Sequence, residues 1–117
     1  MRHPEHQLQT ACVRWFRLQY PEYASLLIAV PNGVRTSATQ ARVLKAEGML
    51  AGVADLLLLL PRHGYGCLCI EMKTDKGRQS DTQKAWQQAA EKAPNKYVVC
   101  RNITEFVIQI KLYLKTG

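Results

Sequence analysis

Two acidic residues and a lysine stand out by type and spacing. Asp55 heads the apolar run Leu56–Leu60, while Glu71 and Lys73 lie two apart at the end of a second run, Cys67–Met72. Between the runs sits Pro61–Gly66, rich in turn residues, so the whole stretch from Gly52 to Lys73 reads as two antiparallel arms joined by a loop. Folding the arms about the middle of that loop brings Asp55 beside Glu71 and Met72. Strand alternation puts Cys67, Cys69, Glu71 and Lys73 on one face and Leu68, Ile70 and Met72 on the other. Charges this close to buried strands cost on the order of several kcal/mol unless they are paired or metal-bound. The cluster therefore reads as a metal site. A hard cation such as Mg²⁺ takes one or two carboxylates and keeps several waters; Asp55 and Glu71 provide the pair, and the Met72 backbone carbonyl could add a neutral ligand. An ion so held polarises a phosphoryl oxygen and lowers the pKa of a bound water. Lys73, on the Glu71 face, would position that water or steady the charge developing on the phosphate. This is the chemistry of phosphodiester hydrolysis. Glycoside hydrolysis requires neither a metal nor a nearby ammonium. The three histidines (His3, His6, His63) fall in terminal or loop segments, which leaves no Ser/His/Asp arrangement, and no phosphate-cradling G-x-x-x-x-G-K-[ST] occurs.

The flanking segments must position this cluster. Leu8, Ala11, Cys12, Trp15 and Phe16 form one apolar stripe, which predicts a helix from about Pro4 to Leu18, with Glu5 and Gln9 four apart on one face. Glu5 by itself reads as an acid balancing the helix dipole. Leu26–Val30 reads as a strand stopped by the turn Pro31-Asn32-Gly33, and Ser37–Glu47 as a second helix closed by Gly48. Arg35, Arg42 and Lys45 gather in this connector, either as a solvated face or as an edge that contacts phosphates. Ser80 and Gln83 form a capping box that starts a helix running through Trp86 and Ala90 and ending before Pro94. Lys96–Cys100 is a strand of buried type, and Asn102–Glu105 repeats the capping logic ahead of a final amphipathic helix carrying Phe106, Val107, Ile110 and Leu114. The expected fold class is α/β, a central mixed β-sheet flanked by helices. Its hairpin is antiparallel, and the strands of Cys69 and Val99 are parallel because a helix connects them.

A chain of 117 residues allows one domain, 1–117, with one core. The 47% hydrophobic and 21% charged content is that of a globular protein, and the +7 charge favours a polyanionic partner, of which nucleic acid is the commonest. The longest strongly apolar run is far too short to span a membrane, and no apolar signal core follows Met1; the cytosol is the expected location. Cys12, Cys67, Cys69 and Cys100 have no C-x-x-C spacing and lie in apolar segments, so they read as buried free thiols rather than zinc ligands.

The order Asp55 … Glu71-Met72-Lys73 resembles the D…(D/E)-x-K signature of the restriction-endonuclease-like nucleases. Its neighbourhood narrows the resemblance. Glu5-His6-Gln7-Leu8-Gln9, Pro31-Asn32-Gly33 with Arg35, Leu44–Gly48, Gly52–Asp55, Ile70–Lys73 and Ser80–Trp86 occur in the order seen in the VRR-NUC family, over nearly the whole chain. The resemblance is to a stand-alone domain of the bacteriophage and bacterial kind, with a restriction-endonuclease-like core. It implies Asp55 and Glu71 as metal ligands for Mg²⁺ or Mn²⁺, Lys73 as the catalytic lysine, Glu5 as a helix-borne acid near the metal (through water if not directly), and Gln83 as a supporting contact. Gln9, Asn32 and Arg35 would shape the DNA groove; Arg42 and Lys45, read from their charge alone, would be DNA-binding at the connector's edge. Ala54 departs from many relatives, in which proline precedes the aspartate. The implied function is a structure-selective DNA endonuclease acting as a homodimer on four-way (Holliday) junctions, since two-fold symmetry would offer two sites to a two-fold substrate. Alternatives are a nuclease for flaps, nicks or other DNA structures, and a catalytically silent nucleic-acid-binding module.

Overall fold

The computed structural model of the chain describes residues 4–31 and 37–116. In chain order these form α1 (Pro4–Gln19), a 3₁₀ turn (Pro21–Leu26), β1 (Leu27–Ala29), α2 (Ala38–Ala46), β2 (Leu56–Leu58), β3 (Leu68–Met72), α3 (Asp81–Lys92), β4 (Lys96–Cys100) and α4 (Ile103–Leu114). The strands make one sheet in the order β1-β2-β3-β4. β1 pairs with β2 and β2 with β3 in antiparallel fashion. β3 and β4 are parallel, because α3 carries the chain back across the sheet before β4 begins.

The alternation expected of the central strand is what divides the core. On one face Leu68, Ile70 and Met72 join Cys12 and Phe16 of α1 and Phe106, Ile110 and Tyr113 of α4 in one buried cluster. Trp15 of α1 meets Phe106 of α4 edge-on, with centroids 6.1 Å apart. On the other face Cys69 packs with Ala54, Ala90 of α3 and Tyr97 of β4, with Cys67 and Trp86 at the margin. The result is a helix–sheet–helix sandwich. Cys12, Cys69 and Cys100 are buried free thiols and Cys67 is half-buried. Burial pushes Cys12 up to about 11 and Cys69 and Cys100 up to about 12, so these three stay protonated.

The first arm of the hairpin is shorter than its apolar run. Only Leu56–Leu58 is strand. Leu59 N–H still donates to Leu26 O (2.9 Å), but Leu60 N–H turns back onto Leu58 O (2.9 Å) and ends the ladder. Between the arms, Arg62 and Tyr65 exchange backbone hydrogen bonds around His63 and Gly64. Both of these have positive φ, 54° and 83°, the combination a two-residue type I′ turn requires. Leu26 closes the 3₁₀ turn instead of opening β1, an element of which the apolar pattern gives no sign. Among the described residues no helix is long and apolar enough to cross a membrane.

Candidate active site

The antiparallel register aligns Leu56 with Ile70, and one step further sets Asp55 across from Glu71. The connection is direct: Met72 N–H donates to Asp55 Oδ2 at 2.7 Å. Asp55 itself is pinned through its backbone, its carbonyl accepting from Val30 N–H at 2.9 Å. The loop that ends in Asp55 packs against the start of α3 at Gly52. With φ +89°, a Cβ there would lie 2.5 Å from the Thr82 carbonyl oxygen, a contact that only glycine avoids.

Glu71 is almost entirely buried, with 1% of its surface exposed. Both carboxylate oxygens are engaged. Tyr97 Oη donates to Oε1 at 3.1 Å and Gln83 Nε2 to Oε2 at 3.1 Å. Lys73 Nζ lies 3.6 Å from Oε2. Burial pushes the Glu71 carboxyl up to about 8; the Asp55 charge and a hydrogen bond shared with Asp55 push the same way, while Lys73 and the Tyr97 hydroxyl pull against them. Desolvation wins over the ammonium. A proton on Glu71 is thus favoured, and a divalent cation bound there would take that proton's place.

Gln83 does two jobs with one amide. Its Oε1 accepts from Ser80 N–H (2.9 Å) while Ser80 Oγ accepts from Gln83 N–H (3.2 Å), closing the capping box, and its Nε2 is left to reach Glu71. Tyr97 extends the chain outward, accepting from Gln79 Nε2 at 3.1 Å, which in turn donates to Gln87 Oε1 at 2.9 Å. Sequence reasoning passed over Tyr97 and Gln79. The signal was the alternation in β4, which puts Tyr97 and Val99 on one face, but the β3–β4 register that sets Tyr97 opposite Cys69 is not written in either strand.

A cleft of about 650 Å³ opens over Asp55 and Met72, with Glu5 and Gln9 of α1 on its wall. Glu5 also borders Gly77, where a Cβ would lie 3.4 Å from Glu5 Oε2 and 3.2 Å from Lys73 Cδ; the loop after Lys73 thereby brings the acid and the lysine to one place. Arg101 ties that loop down, donating from Nη1 to Thr74 O (2.9 Å) and Gly77 O (2.8 Å). The structure therefore gathers Asp55, Glu71, Met72, Lys73, Glu5, Gln9 and Gln83 at one end of the sheet. It does not gather Arg42 and Lys45, which are exposed on α2, away from this cleft. Asn32 and Arg35 lie outside the described residues. Among the described residues no group of three or more His, Cys, Asp and Glu side chains is assembled around one point. The donor set at hand, two carboxyls and a backbone carbonyl, fits a hard cation that retains much of its water and not a zinc cage.

The family model described as "VRR-NUC domain" matches residues 3–102. A solved structure titled "VRR_NUC domain protein" superposes with a TM-score of 0.85 at 24% identity, covering 100% of this chain and 93% of that one; at that identity the likeness establishes the fold. No curated protein matches the chain. With the family model spanning most of its length, the chain belongs to the VRR-NUC domain family, and its function is accordingly of nuclease type with DNA as the implied substrate.

Proposed function

We propose that this protein is a divalent-metal-dependent, structure-selective DNA endonuclease, and in its most specific form a homodimeric Holliday junction resolvase working with Mg²⁺ or Mn²⁺. One observation carries the reading: a buried carboxyl, Glu71, is held by Tyr97 and Gln83 against Asp55 at the floor of an open cleft, with Lys73 3.6 Å away. Burying such a group costs folding free energy, and carboxyls held this way cluster at functional sites.

Each role follows from position. Met72 N–H fixes Asp55 through Oδ2, leaving Oδ1 for another partner. A strand residue's N–H and C=O project to the same side, so the Met72 carbonyl faces the Asp55 edge and completes the donor set. When bound there, the ion supplies Lewis acidity at the phosphoryl oxygen and a water of lowered pKa. Lys73, tethered close to Glu71 and flanked by Gly77, offers its ammonium to the water or to the developing phosphate charge. Glu5 closes the outer side of the cleft. Tyr97 and Gln83 act through Glu71, orienting it.

The net charge of +7 suits recognition by shape and phosphate contacts, and a two-fold dimer on a two-fold junction gives paired cuts by symmetry. The test is cleavage of a labelled four-way junction beside matched duplex and flap DNA, in Mg²⁺, Mn²⁺ and EDTA, by wild type and Lys73→Ala. Metal-dependent paired nicks across the junction, absent with Lys73→Ala, are expected. Equal cutting of every substrate would remove the junction role and keep the nuclease. Binding without cutting in either metal would leave the silent module.

A further inference from the structure

The cleft over Asp55 does not stop at the chemistry. It continues along α1 past Gln9 and Thr10 to Arg14, Arg17 and Leu18. Every α1 residue that lines it belongs to one of two adjacent i, i+4 rows, one starting at Glu5 and ending at Arg17, the other starting at His6 and ending at Leu18. Rows of that spacing lie side by side on a helix, so the cleft is a groove running nearly the length of α1. Its chemistry changes along the way. Glu5 stands at the end near Lys73; Gln9 and Thr10 are neutral; Arg14 and Arg17 are exposed at the far end. Past Glu5, α1 carries no acid.

We propose that this groove is a track for the DNA backbone, in which Arg14 and Arg17 hold phosphates remote from the one being cut. The proposal rests on the nuclease reading and adds a binding site to it. Arg14 and Arg17 are nine and twelve residues beyond Glu5, or about 14 and 18 Å along the helix at 1.5 Å per residue. At 3.4 Å of rise per nucleotide of a strand, that is about four and five steps from the reacting phosphate. Among the described residues neither guanidinium has a protein hydrogen-bond or ion-pair partner. The arginines that serve the fold look different: Arg62 is bonded to Pro61 O and Tyr23 Oη, and Arg101 to the loop carbonyls after Lys73. Balancing the dipole at the end of α1 would account for Arg17, but not for Arg14 facing the same groove. A metal-binding acid at one end and free arginines at the other match a strand with its cut phosphate on the metal and its flanking phosphates on α1.

The test is equilibrium binding of junction and duplex DNA in EDTA across a salt series, for wild type, Arg14→Gln/Arg17→Gln, and a charge-matched control, Lys92→Gln/Lys111→Gln, on α3 and α4. The arginine variant should bind at least tenfold more weakly, and its slope of log K against log[salt] should be shallower by about 2, at about 0.9 per phosphate contact. The control should follow wild type. Neutral methylphosphonate linkages four and five nucleotides to one side of the cut should weaken wild type and leave the arginine variant indifferent. An unchanged slope, the same loss in the control, or equal sensitivity of both proteins to the neutral linkages would overturn the groove. Both arginines are exposed, and a circular-dichroism melt matching wild type confirms the fold. Failure of the nuclease reading registers separately, as wild type that cuts no DNA in Mg²⁺ or Mn²⁺, because the salt series in EDTA needs no cutting.

Discussion

Glu71 is a carboxyl held where its charged form is disfavoured, and this has a consequence for pH. Its folded-state value of about 8 lies above the usual 4.5, so as pH rises the unfolded chain releases this proton first. The group's contribution to stability is therefore fully present below about pH 4.5 and lost as pH rises through 8. In EDTA, wild type should lose melting temperature between pH 5 and 8.5 relative to Glu71→Gln, whose neutral amide has no proton to give up; parallel curves for the two proteins would show that Glu71 is not the titrating group. Tyr97→Phe should remove the donor on Glu71 Oε1 and the acceptor for Gln79, lowering stability by about 1–2 kcal/mol and metal affinity roughly 10- to 100-fold. Calorimetric titration with Mn²⁺ reads the second effect, and unaltered affinity would reduce Tyr97 to a packing residue. Asp55, Glu71 and Lys73 were legible in the sequence because charge beside an apolar run is anomalous on its face. Tyr97 was not, because a tyrosine in a strand is ordinary until the register shows what it touches.

At the scale of elements, the site depends on where short segments stop. The capping box that begins α3 was readable from Ser80 and Gln83 because capping is local chemistry; that it also frees Gln83 Nε2 for Glu71 was implied only by the family resemblance. The turn before β2 is different. Gly52 fits only because it has no Cβ, against Thr82 O and at positive φ. Gly52→Ala should cost more than about 1 kcal/mol, seen as a lower chemical-denaturation midpoint, and should loosen Asp55 three residues on; an unchanged midpoint would mean that the turn yields freely. Nothing in the sequence marks that approach, since it joins segments thirty residues apart. The strand ends are hidden in the sequence for a related reason. Leu56–Leu60 is uniformly apolar, so periodicity cannot locate the point where Leu60 turns back. The final helix shows the same limit. Asn102 caps it as expected, but Glu105 Oε1 accepts from Arg101 N–H, one residue before the cap.

At the scale of the molecule, three layers serve one end of the sheet. α1 with α4 covers one face and supplies Glu5; α3 covers the other and supplies Gln83; between them, Asp55 leads into β2, Glu71 lies in β3 and Lys73 follows it directly. The layer order and the mixed sheet were legible from the succession of elements, since connection rules leave few alternatives. The position of α2 was not, because its sides are mostly exposed and no buried residue ties it to the sheet. The metal centre is the claim on which this account turns, and calorimetric titration of Mn²⁺ into wild type and Asp55→Asn at pH 7 tests it most directly. Wild type should take up one ion per chain with release of the Glu71 proton, and Asp55→Asn should lose that site with the fold intact. The same uptake by both proteins, or none by wild type, would contradict it.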